Sequence, residues 1–126
     1  MADLYGHLPR GPAGVMRAAR WSLLGLRAAW LHESSFRLEV YLFVLLGPLG
    51  WWLGATPVER VLLIGSCLLV LAMELMNSSM EAVIERFGPE RHELAGRAKD
   101  MGSAAVFVLM LNVLLVWGTL LLPRYL

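Results

Sequence analysis

The chain has 126 residues, a formal net charge of +1, a mean hydropathy of +0.62 and 58% hydrophobic residues. A soluble domain of this size could not hide its uncharged runs at 40–55, 61–73 and 101–123, which hold 16, 13 and 23 residues. With the basic residues split among the flanks of those runs, the composition excludes a soluble enzyme and a nucleic-acid binder, and predicts an all-α membrane protein with three transmembrane helices.

Residues 1–14 hold Pro9, Gly11, Pro12 and Gly14 among mixed polar side chains, the composition of an irregular N-terminal arm. From 15 to 36, Ala19, Leu23, Leu26 and Trp30 recur at helical spacing with Arg17, Arg20 and Arg27 on the other side, the pattern of an amphipathic helix lying on a membrane surface. The polar segment from Glu33 to Glu39 reads as an elbow into the first span, about 38–55, with a bend expected at Gly47 and Pro48. Trp51 and Trp52, with Trp117 and Tyr125, suit the aromatic belt of one interface.

A tight turn at 56–60 leads to the second span, about 57–87, entered at Pro57 and stopped by Gly88 and Pro89. The third is expected over about 90–122, its first residues projecting from the membrane and Ala98, Gly102 and Ala105 letting it approach the second closely. Residues 37–126 thus form the three-helix membrane domain. Arg10, Arg17, Arg20, Arg27, Arg37, Arg86, Arg91, Arg97 and Lys99 fall on one side and only Arg60 and Arg124 on the other, which predicts a multi-pass inner-membrane protein with a cytoplasmic N-terminus. The single Cys67 implies no disulfide, and no cleavable leader is expected because the first apolar run starts at residue 40.

The second span carries the chemistry. Glu74, Asn77, Ser78, Glu81 and Glu85 recur at steps of three and four, so they share one face of an otherwise apolar helix. Carboxylates on a bilayer segment are costly enough that a line of them marks a functional site with a cation as partner. Glu74, near one interface, is placed as general base toward a hydroxyl at headgroup depth. Glu81, about 10 Å further along the axis, suits a hard cation; with Asn77 and a carboxylate from elsewhere it fits Mg²⁺, which uses few protein oxygens and completes its shell with water and phosphate. Lys99 beside Asp100 offers a cation for phosphate. The Walker loop and the loop patterns of protein kinases are missing from the sequence, so a nucleotide would need another kind of site.

The run Glu74-Leu-Met-Asn77-Ser78-Ser79-Met80-Glu81-Ala-Val, with the run from His92 through Gly96, Lys99, Asp100 and Gly102 to Ala105, closely resembles the bacterial integral-membrane diacylglycerol kinases. The likeness extends to Gly25 through Trp30, Glu33, Phe36 and Arg37, and covers roughly 15–122. It implies a homotrimer that transfers the γ-phosphate of ATP to diacylglycerol, giving phosphatidic acid at the cytoplasmic face. It further implies Glu74 as the base, Glu33 and Glu81 on Mg²⁺ around the ATP phosphates, and Asn77, Glu85, Glu90, His92, Lys99 and Asp100 at the nucleotide. Arg27, Trp30, Phe36, Arg37, Glu39, Glu74 and Ser103 are implied along the lipid path. Gly14, Trp21 and Arg91 depart from the family pattern, so no adenine-side contact is carried onto them.

Two other readings stay open at this point. An undecaprenol kinase shares the Glu-x-x-Asn-x-x-x-Glu core, and the stretch from His92 to Ala105 weighs against it. A small oligomeric ion-coupled transporter would use Glu74 as its coupling carboxylate, but would need it near the midplane between two accessible sides.

Overall fold

The computed structural model describes residues 11–88 and 92–126, all of whose regular structure is helical. The expectations for Arg10, Pro89, Glu90 and Arg91 fall outside the described residues. Helix α1 spans Pro12–His32, α2 Ser34–Leu53, α3 Pro57–Arg86 and α4 Glu93–Tyr125. The chain divides into two compact units, one ending at Glu33 and the other starting at Ser34.

In the first unit α1 begins three residues before the expected start. Pro12 explains this: its fixed φ suits a first helical turn, where its missing N–H is not needed. Gly11 enters with φ of 90°, a left-handed conformation that favours glycine. The helix ends at Glu33, which is extended, while its N–H still bonds to the Ala29 carbonyl at 2.9 Å.

In the second unit three helices are each long and apolar enough to cross a membrane: α2, α3 and α4. The elbow expected at 33–39 is confined to Glu33, since helix resumes at Ser34 and carries Phe36, Arg37 and Glu39 within α2. It also continues through Gly47 and Pro48. Helix α3 packs against both α2 and α4 and supplies more buried residues than any other helix, with Leu63 fully enclosed.

The three-helix register is set near the α2–α3 turn by small and flat groups. A Cβ on Gly50 would stand 3.2 Å from the Leu63 Cβ and 3.3 Å from the Trp117 ring, so a larger residue would oblige these neighbours to give way and glycine suits the close approach of α2. Trp117 Nε1 donates to the Leu63 carbonyl at 3.1 Å, locking α4 to α3 at the same level. Thr56 caps α3 by accepting from the Glu59 N–H at 3.2 Å, and Pro57 occupies the first turn. At its other end α3 stops on Gly88, whose φ of 93° terminates the helix and whose N–H returns to the Glu85 carbonyl at 3.0 Å. Helix α4 starts at Glu93 instead of about 90, because His92 is its N-cap: the imidazole Nδ1 accepts from the Leu94 N–H at 3.0 Å.

Candidate functional site

The antiparallel register that puts Gly50 against Leu63 carries eleven residues along α2 to Glu39 and eleven along α3 to Glu74. These two carboxyl groups meet side chain to side chain within hydrogen-bonding reach. Both are buried, at 8% and 6% exposure.

Further along the same face of α3 lie Asn77 and Ser78, also buried. Glu39 Oε2, Asn77 Oδ1 and Ser78 Oγ are enclosed without a hydrogen-bond partner among the described residues. Leaving a buried polar atom unsatisfied costs about 1–3 kcal/mol, more where no water competes, so a patch of them is a place where a ligand is expected to complete the bonding. Helix α4 closes on this patch at Gly102, where a Cβ would overlap Asn77 Oδ1. Gly102 therefore permits the approach anticipated for it, while Ala98 and Ala105 are only half-buried.

On the apolar side of Glu39 the three helices enclose a groove of about 250 Å³, lined by Glu39 with Leu42, Phe43, Leu46, Cys67 and Val70 and by residues of α4 including Met110. Glu39 is the one ionisable carboxyl of that lining. The polar patch is thus bounded on one side by hydrocarbon and on the other by the acidic continuation of α3.

The remaining expected residues are placed as follows. Glu81 is half-buried on the face of Asn77, and Glu85 is exposed one turn beyond. Phe36 is buried one turn before Glu39, Arg37 is half-buried, and Ser103, Lys99 and Asp100 are exposed on α4. His92 is engaged as the cap of α4. Arg27 and Trp30 are exposed on α1, and Glu33 is half-buried at its end; these belong to the first unit. Glu90 is outside the described residues.

Among the described residues no three His, Cys, Asp or Glu side chains gather as a ready metal cage. Mg²⁺ takes one or two carboxylates and keeps water or phosphate in its other positions, and Glu81, four residues beyond the unpartnered Asn77 oxygen on the same face of α3, is a hard-oxygen donor of that kind. Sequence reasoning placed Ser78 on the stripe without a role and put Glu39 on the lipid path without its contact to Glu74. Ser78 stands four residues from Glu74, a spacing that already put both on one face.

Comparison with known proteins identifies a family. The family model for prokaryotic diacylglycerol kinase matches residues 20–121. A diacylglycerol kinase of Haemophilus influenzae is 48% identical over 111 residues, covering 88% of this chain and 94% of its own. That of Escherichia coli K12 is 47% identical over 111 residues, with 88% and 91% covered, and that of Helicobacter pylori 26695 is 39% identical over 117 residues, with 93% and 91% covered.

Proposed function

Because the chain belongs to the prokaryotic diacylglycerol kinase family, we infer that it phosphorylates diacylglycerol and that the buried polar patch of α3 is where this occurs. The observation that carries the assignment of the site is Glu74: a buried carboxyl, engaged by Glu39, on a helix able to cross a membrane. A carboxyl kept out of water on such a helix is suited to take a proton from the hydroxyl of a membrane lipid.

In this reading the Glu74 carboxylate takes the proton of the diacylglycerol hydroxyl as that oxygen bonds to the γ-phosphorus of ATP and the bond to ADP breaks. Phosphoryl transfer asks the protein mainly for positioning and charge neutralisation. Asn77, Glu85, Glu90, His92, Lys99 and Asp100 orient the nucleotide, with Lys99 as the cation for phosphate and the His92 ring fixed through its capping bond. Mg²⁺, when bound by Glu81 and Glu33, would neutralise phosphate charge. Arg27, Trp30, Phe36, Arg37 and Ser103 guide the lipid.

The assembly is proposed as a homotrimer, supported by how little of the apolar surface of α4 is buried within one chain; mass measurement in detergent tests it, and a monomeric active species would refute it. The bias of basic residues supports an inner-membrane location with the α3–α4 connection in the cytoplasm and α1 lying amphipathically on that surface. Impermeant maleimide should label a cysteine at Glu93 only after the inner membrane is opened, and one at Ala55 from outside.

The deciding experiment supplies purified protein with labelled ATP, Mg²⁺ and mixed micelles of either diacylglycerol or undecaprenol. Label is expected in phosphatidic acid. Transfer confined to undecaprenol would replace the substrate, and no transfer to either lipid would defeat the kinase reading.

A further inference from the structure

Two packing contacts fix which residues of the three membrane helices share a level. Gly50 of α2 lies against Leu63 of α3, and Trp117 of α4 donates to the Leu63 carbonyl at 3.1 Å. Four residues from this level the antiparallel helices bring Leu46, Cys67 and Val113 together, and three residues further Phe43, Val70 and Met110. All six line the groove of about 250 Å³. It is therefore a slot about two helical turns long that runs along α3. One end stops where Gly50, Leu63 and Trp117 pack together, and the other reaches Glu39 on α2.

Glu39 is the polar member of that lining; it is buried, and its Oε2 is enclosed without a partner among the described residues. On α3 the face that carries Cys67 and Val70 continues to Glu74, one turn or ~6 Å beyond Val70. The groove is apolar along its length and meets the polar patch at one end, the profile of an amphiphile's chain leading to a hydrogen-bonding head. Hydrocarbon fills such a groove between membrane helices, since a void forfeits the dispersion contacts of its walls. A helix from another chain is about 10 Å across with its side chains, so one turn of it already exceeds this volume, whereas a lipid chain carries no side chains and fits. The volume is also below the ~300 Å³ at which pockets begin to enclose a whole small ligand, so the occupant is part of a lipid and not all of it.

We propose that the groove seats the glycerol-proximal part of one acyl chain of diacylglycerol, with Cys67 and Val70 as specificity-determining residues that set how much chain lies along α3. This rests on Glu74 being the place where the lipid hydroxyl reacts. Lipid tails are as apolar as the walls of the groove, so seating the chain gains little by burial. Its effect is on position: a chain held along α3 sets the angle and depth at which the glycerol end reaches the polar patch, and an error of about 1 Å there can cost on the order of a hundredfold in rate.

The test narrows the groove at two levels and reads the chain length that the enzyme accepts. Cys67→Phe fills the level seven residues, roughly 10 Å, from Glu74, and Val70→Phe fills the level one turn from it. Each is assayed on dioleoylglycerol and on dihexanoylglycerol, whose chains are shorter than the distance from Glu74 to Cys67. With Cys67→Phe, kcat/KM for the long lipid should fall about tenfold more than that for the short one; with Val70→Phe both should fall, and their ratio should move by less than about threefold. Cys67→Met adds length with a side chain that adapts to irregular space, and should shift the ratio in the same direction if the phenylalanine variant does not fold. A ratio unmoved by bulk at Cys67 would overturn the proposal. So would equal losses on both lipids together with a lower oligomer mass in detergent, which would assign the groove to packing between copies of the chain. Phosphorylation of neither lipid by the parent protein defeats the kinase reading itself, whereas an active parent whose chain-length profile persists in every variant defeats only the seating of the chain.

Discussion

The two ends of the three-helix unit treat polar groups in opposite ways. Near the α2–α3 turn the charged side chains are engaged: Glu59 accepts from Arg124 at 2.9 Å and from the Ala55 N–H at 3.3 Å, and Arg124 also donates to the Leu53 carbonyl at 3.2 Å. Arg60 donates to the Trp51 carbonyl at 3.0 Å and stands 4.9 Å over its ring. At the other end Glu39 Oε2, Asn77 Oδ1 and Ser78 Oγ are buried with no partner among the described residues. The fold can therefore satisfy polar groups where it closes its own chain, and it leaves them unsatisfied in one patch. The turn end holds the helices in register; the other end keeps buried polar atoms with bonding capacity that the described residues of one chain do not use.

This contrast predicts a ladder of effects. The largest belongs to Glu74→Gln, which preserves size and burial and removes the proton acceptor. Lipid phosphorylation should fall on the order of 10²- to 10⁴-fold while thermal unfolding in detergent changes little. Near-normal turnover would show that the buried polar patch is not the reacting centre.

Gly102→Leu is next, because it forces bulk into the approach of α4 to Asn77. Overpacking costs about 1–3 kcal/mol, so both melting temperature and activity should drop, and activity by more, since the displaced group belongs to the site. Wild-type activity with this substitution would mean that the Asn77 side chain can move away without consequence.

How much of this could be read from the chain alone depends on whether a feature is local. The stripe was legible, because Glu74, Asn77 and Ser78 follow helical spacing and all three are buried on α3. So was the need for a small residue at Gly102, by the packing logic of membrane helices. The Glu39–Glu74 contact was not, because it depends on a register between α2 and α3 that Gly50, Leu63 and Trp117 set some distance away. The Arg124–Glu59 pair, 65 residues apart in sequence, was hidden for the same reason, and Arg124 could be read only as a flanking charge. His92 is a different case: the family resemblance implied a nucleotide contact for the imidazole, and nothing in the sequence pattern showed that its Nδ1 accepts from the Leu94 N–H to start α4.

Trp117→Phe tests the link between the two ends. It deletes the donor to the Leu63 carbonyl, a loss of about 0.5–1.5 kcal/mol, together with the outer-ring carbon that packs on Gly50. If the paired end sets the register, melting temperature should fall modestly and turnover should decline about two- to fivefold without any change in nucleotide KM. A variant that loses stability but keeps full turnover would show that the register at the Glu39–Glu74 level is fixed elsewhere along the helices.

The smallest effect is expected from Glu59→Gln, the same chemical change as at Glu74 made at the paired end. The Glu59 carboxylate is on the turn, partly open to its surroundings, and its partner Arg124 is more exposed still. An amide oxygen at this position can go on accepting from the Ala55 N–H and from Arg124, so the substitution removes charge and keeps the bonds. Exposed ion pairs contribute little because solvent already screens both charges. Arg124 retains the Leu53 carbonyl in either case, which holds the end of α4 to the end of α2. Turnover should therefore stay within about twofold of the parent, against orders of magnitude at Glu74. A loss at Glu59 approaching that at Glu74, with nucleotide and lipid KM unaltered, would dissolve the distinction between the ends and require the turn to take part in the reaction cycle.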